Sequence, residues 1–153
     1  MRPLQAIAIT FLMGCGHVQI DRAVSAHNIY RRMLVEASDA FTPIYAAAAS
    51  GAMHNEEEVD YEREMEPYNG VVRALRSGQE AEQVIHVALE HCIAMNDGTC
   101  DLAGIGFACA ATALDLLSES FGQVKGGATL FAASAVLEMQ LRELANGAAC
   151  EAK

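Results

Sequence analysis

IDRAVSAHNIYRRMLVEASDAFTPIYAAA, residues 20–48, decides the fold. Its apolar positions Ile20, Val24, Tyr30, Leu34, Ala37, Phe41, Ile44 and Ala48, with His27 among them, step by three or four residues. That spacing draws one stripe along an α-helix, whereas a strand would need strict alternation. Pro43 sits inside the stripe and predicts a kink, because its ring lacks an N–H and crowds the preceding turn. Ser50-Gly51 closes the segment.

Working outward, Asn55 caps a second helix, with Glu58 three residues on and acids in the first turn, where the helix dipole favours them. Tyr61, Met65, Tyr68, Val72 and Leu75 share one face of it, and Pro67 predicts a second kink. Ser77-Gly78-Gln79-Glu80 reads as another capping box, opening a stripe of Ala81, Val84, Ile85, Ala88, Leu89 and Cys92. Asn96-Asp97-Gly98 is a turn signal. A last pair of helices is expected over about 101–120 and 128–146, with Gly122 and Gly126-Gly127 between them and Gly147 at the end. The first of that pair carries Ala103, Gly104, Gly106, Ala108, Ala110, Ala111 and Ala113, small side chains that let two helix backbones approach closely. The expected fold is all-α, an antiparallel bundle of four to five helices, two of them Pro-kinked.

A chain of 153 residues fits one domain and buries a core without help from metal. It is 52% hydrophobic but only 6% aromatic, with no Trp; alanine carries much of the total, and alanine favours helix. The formal charge of −10 repels phosphate backbones and anionic lipid surfaces alike, so nucleic acid is excluded as a partner. Much of the excess lies between Glu56 and Glu66, which hold seven acids against Arg63. No stretch offers eighteen uninterrupted apolar residues, so a lasting transmembrane helix is not expected.

The amino terminus has a different character. Met1-Arg2-Pro3 supplies one positive charge, Leu4–Met13 is an apolar run, and Leu12-Met13-Gly14-Cys15 ends it. A charged start, a short apolar stretch and a small residue before the cut site make a secretory signal. Leu12, Gly14 and Cys15 resemble the lipobox of bacterial lipoproteins, with Met13 a less typical occupant of its position. The resemblance covers about a tenth of the chain and describes processing, not a fold. It implies removal of residues 1–14 and lipidation of Cys15. Residues 15–18 would then be a short tether, 19–147 the helical domain and 148–153 a tail. A diacylglyceryl group on sulfur, usually with an N-acyl chain, makes a stable anchor, since one chain alone binds marginally. An Asp after the lipidated cysteine is the class's inner-membrane retention signal; Gly16 stands there instead, which implies the outer membrane, facing the periplasm. His17 falls in the tether.

If Cys15 carries lipid, Cys92, Cys100, Cys109 and Cys150 remain, an even set that suggests disulfides with three possible pairings. Cys100 and Cys150 are equally far from the turn near residue 125, so an antiparallel hairpin is expected to pair them. Cys92 and Cys109 are then left over, and the competing pair is Cys92 with Cys100, a clip across the 96–98 turn. None of the four is spaced for a zinc knuckle.

Groups able to do chemistry are few. Glu82, His86 and Glu90 share a helix face at four-residue spacing and make a candidate metal or proton site, although a solvated ladder is the commoner use of that pattern. His54 with Glu57 and Glu58 is a second candidate for a divalent cation. His27, on the apolar stripe, is read as a core histidine with a satisfied partner. No Glu-x-x-His, Gly-x-Ser-x-Gly or phosphate-loop motif occurs, so no enzyme class has a motif behind it. The expected function is a membrane-anchored envelope lipoprotein whose helical domain acts by protein contact. Glu56, Glu57, Glu58, Asp60 and Glu62 form the expected surface for a basic partner, no cofactor beyond the covalent lipid is expected, and metal or small-ligand binding is the alternative.

Overall fold

The stripe that opens the chain's helical region is buried along most of its length: Ala23, Ala26, Tyr30, Leu34, Ala37 and Phe41 all lie in the core. The structure, a computed structural model, describes residues 19–53, 58–95, 98–125, 127 and 134–150, and of residues 58–60 the backbone only. Helix α1 spans Ile20–Ala52 and α2 spans Glu58–Met95. A short 3₁₀ turn, Asp101–Ala103, leads into α3 (Gly104–Gln123), and α4 covers Ser134–Ala145. The described residues form an all-α bundle of four helices with no strand. Val18 and the tether, the Asn55 cap, His54, Glu56, Glu57 and residues 128–133 lie outside the described residues, as does the whole signal-like segment with Cys15.

The capping box expected at Ser77-Gly78-Gln79-Glu80 does not break a helix, because α2 runs through it without interruption. Gly78 serves packing instead. A Cβ built there would lie 2.7 Å from Leu34 Cδ2 and 3.1 Å from the Tyr30 hydroxyl, so the missing side chain lets α1 sit directly on the α2 backbone. The buried face of α2 is accordingly Val71, Ala74, Leu75, Ala81, Ile85, Leu89 and Cys92, while Val72 and Val84, expected on it, are about half exposed. Both prolines also lie inside their helices.

The small-residue reading of α3 is realised. Ala103, Gly104, Gly106, Phe107, Ala110, Ala111 and Ala113 are buried. A Cβ at Gly106 would lie 2.7 Å from Ile85 Cγ1 and 3.0 Å from the Ile85 amide nitrogen, so the α2 and α3 backbones nearly touch. The Asp101–Gln123 stretch is long and apolar enough to cross a membrane by composition, but over half of its most apolar window is buried inside the bundle. It is the core helix.

The four helices alternate in direction. Gly106 meets Ile85 and Gly70 meets Ser120, which makes α3 antiparallel to α2. Arg22 near the start of α1 pairs with Glu143 near the end of α4, and Gly104 sits against the Ala145 carbonyl. The starts of α1 and α3 and the ends of α2 and α4 therefore share one end of the bundle. A single antiparallel bridge between Gln19 and Thr99 and a bond from the Ile20 amide to the Gly98 carbonyl tie α1 to the turn there.

The disulfides correct the expected pairing. Cys92 joins Cys100 and Cys109 joins Cys150; Cys100 and Cys150 are not partners. Two local causes are visible. Left-handed Asn146 and Gly147 (φ 48° and 81°) end α4 and redirect the chain, so residues 148–150 lie back along α3 and reach Cys109 instead of stopping at the open end. Cys100 is meanwhile buried beneath the turn, its Cα 5.4 Å from that of Cys92. The expected tail is thus pinned as far as Cys150.

In chain-entropy terms the sequence separations of 41 and 8 restrict the unfolded chain by about 4 and about 2.5 kcal/mol. Replacing Cys109 and Cys150 by Ser is expected to cost about 4 kcal/mol in a urea titration, and replacing Cys92 and Cys100 about 2.5 kcal/mol. Equal losses would show that chain closure is not what the two bonds contribute.

Candidate functional site

Several polar contacts cross the seam between α1 and α2. Tyr30, fully buried, donates its hydroxyl to the Gly78 carbonyl at 3.1 Å. One helical turn earlier, the buried His27 meets the Glu82 carboxylate through Nε2 at 2.9 Å. Arg31 approaches the same carboxylate oxygen at 4.0 Å from the exposed side. The His86 ring stacks on His27, centroids 5.8 Å apart and planes 24° from parallel, and its Nε2 lies 3.4 Å from Glu90. His27 is therefore the satisfied core histidine expected from its place on the stripe.

The ladder of Glu82, His86 and Glu90 is only partly realised. His86 pairs with Glu90 within α2, but Glu82 turns across the seam to α1. Stacked imidazoles keep their nitrogens in nearly parallel planes, which does not aim them at one point. Among the described residues no three His, Cys, Asp or Glu side chains are grouped to hold a metal ion. His54, the centre of the other metal candidate, lies outside the described residues. The seam's chemistry is thus that of an interhelical lock: one carboxylate satisfies a buried imidazole that would otherwise be costly to bury.

Two shallow clefts adjoin the seam, of about 310 and 450 Å³, and share Ser38 and Gln79. The first contains Arg31, Asp39 and Glu82, the second Arg76, Phe41 and Tyr45. Neither lining contains a histidine or cysteine.

At the opposite end from the disulfides the two long helices outrun the other described residues. Phe41 of α1 packs edge-on against Phe121 of α3, centroids 5.7 Å apart, and α3 stops at Gln123. Residues 44–52 of α1 and 58–66 of α2 continue beyond that level as a two-helix arm. Met65 and Ala52 are buried within it, and Tyr45 reaches Asn69 across its base at 3.5 Å. Glu62, Glu64 and Glu66 are exposed, Glu66 in a 2.7 Å pair with Arg73. Of the acidic residues named from sequence, Glu58 and Asp60 lie on the α2 backbone of this arm and Glu62 on its exposed side, while Glu56 and Glu57 lie outside the described residues. Their collection on a projecting arm was not legible in the sequence, because it depends on how far α3 extends.

No protein family matches the chain, and neither a curated protein nor a solved structure resembling it was found.

Burial, and secondarily the nearby Glu82 carboxylate, push the Tyr30 hydroxyl's pKa well above its ordinary value of 10.0. An unfolded chain releases that proton first, so the contribution is complete below pH 10 and is lost as pH rises from there toward the folded value. Tyr30→Phe is expected to cost about 1 kcal/mol at neutral pH through the lost hydrogen bond. It should also flatten the decline in stability above pH 10, read by urea titrations across alkaline pH.

Proposed function

We propose that the chain is the precursor of a bacterial envelope lipoprotein, anchored through lipid on Cys15 and acting by contact through its acidic arm. The observation that carries this reading is the partition of the cysteines. Four of the five pair with one another, so Cys15 has no cysteine left in the chain to join. Two disulfides suit an exported protein in an oxidising compartment, where such bonds persist. The remaining cysteine stands where the signal-like segment ends, at Leu12-Met13-Gly14-Cys15. Gly16 favours the outer membrane, with the domain facing the periplasm.

The role follows from shape and charge. The α2 side of the arm carries Glu58, Asp60 and Glu62 at the end of the molecule farthest from Gln19, Glu56 and Glu57 directly precede them in sequence, and a basic surface on another envelope protein complements this acidic run. Pro43 and Pro67 bend the arm at its base. They lie at the same level, because the contacts of His27 with Glu82 and Tyr45 with Asn69 set the register between the helices. Thr42 supports that bend by donating its hydroxyl to the Ser38 carbonyl at 2.8 Å, a back-bond that tilts helices. The role is structural, adaptor or inhibitory, with no cofactor beyond the lipid.

Intact mass of the full chain extracted from membranes tests the anchor. The expected species lacks residues 1–14, carries acyl groups and has four oxidised thiols; Cys15→Ala should abolish acylation and release the protein from the membrane fraction. Recovery from the cytosol with Met1 retained and every thiol free would overturn the reading. Contact through the arm is checked by exchanging Glu56, Glu57, Glu58, Asp60 and Glu62 for their amides. Chemical cross-linking to the basic partner should fall by about tenfold, with the thermal unfolding midpoint unchanged.

A further inference from the structure

The end of the bundle opposite the arm leaves large apolar side chains uncovered. Ile93 and Met95 in the last turn of α2 are 54% and 62% exposed, and Leu102 and Ile105, where α3 begins, 62% and 57%. Single exposed hydrophobics along helix flanks are ordinary. Ile93, Met95 and Leu102 share the end at which the chain enters the fold, with Ile105 further in beside the Ile85 level of α2. Gln19 is bridged to Thr99, and the Ile20 amide is bonded to Gly98. The Cys92–Cys100 bond holds that turn to α2.

Covalent reach gives those side chains an occupant. This step rests on the anchoring reading. Cys15 precedes Gln19 by four residues, a span of at most about 14 Å however the chain runs. A lipidated Cys15 therefore holds this end at the headgroups, with the arm about 50 Å away along α1. We infer that Ile93, Met95 and Leu102 form a membrane-contacting end that enters the interface of an uncharged, zwitterionic bilayer and stands the bundle upright on it. Charge selects that surface over an anionic one. Asp21 and Asp101 are exposed here, whereas Arg22 is paired with Glu143 and Arg142 with Glu138. Side chains that dock at an interface sink about 5–10 Å, deep enough to meet the upper acyl chains.

The chain has no Trp of its own, so one introduced indole reports one position. Full-length Met95→Trp and Leu102→Trp proteins, extracted from membranes, are reconstituted into phosphatidylcholine vesicles with brominated acyl chains. Each is expected to lose about half its emission relative to unbrominated vesicles, and Met53→Trp, at the far end of α1, under about a tenth. In the unsubstituted protein a membrane-impermeant oxidant should convert Met95 at least about fivefold more slowly than Met53. Two results in acylated, vesicle-bound protein overturn the inference and leave the anchor standing. One is quenching of Met95→Trp and Leu102→Trp no greater than that of Met53→Trp; the other is Met95 oxidised as fast as Met53. An intact mass without acyl groups overturns the anchoring reading and the inference with it.

Discussion

Everything in this bundle depends on how closely α1 lies against α2 at Gly78. With no side chain in the way, Leu34 and the Tyr30 hydroxyl come against the α2 backbone, and the hydroxyl finds the Gly78 carbonyl. That contact sets the register for the whole length of the two long helices. It brings Glu82 opposite His27, Asn69 opposite Tyr45 and the two prolines to one height. A larger residue at position 78 would drive the helices apart and leave a buried hydroxyl and a buried imidazole short of partners, a more serious loss than the displaced volume.

The second close approach, at Gly106 and Ile85, works by the same physics between α2 and α3. Together the two glycines make α2 the axis of the molecule, packed on one side by α1 and on the other by α3. Alanine fills the remaining interhelical space: Ala23, Ala26, Ala37, Ala74, Ala81, Ala110 and Ala111 are all buried. Small cores bury little area per residue, so the two disulfides offset part of what bulky side chains would otherwise contribute.

Fold class was legible because burial follows the three-and-four step at Tyr30, Leu34 and Phe41, and because the stretch around Gly106 announces close packing. Features set by partners distant in sequence are not legible locally. Gly78 has the local chemistry of a capping box, yet it is used as a seat for α1; nothing within a few residues distinguishes those uses. Glu82 looked like one rung of a ladder because His27, its actual partner, lies 55 positions away. The pairing of Cys100 with Cys150 was a reasonable consequence of a symmetric hairpin. It failed because two left-handed residues after α4 fold the chain back. The acidic run was visible, its placement on a projecting arm was not.

The Cys109–Cys150 bond encloses the whole connection from α3 to α4 together with α4 itself. A protease that cuts the chain once anywhere inside that ring leaves the two pieces joined through sulfur. Nicked molecules would keep their mass apart from one added water, and the severed portion could not diffuse away until a reductant arrived. A surface exposed to hydrolases thereby tolerates a break that would otherwise set the last helix adrift.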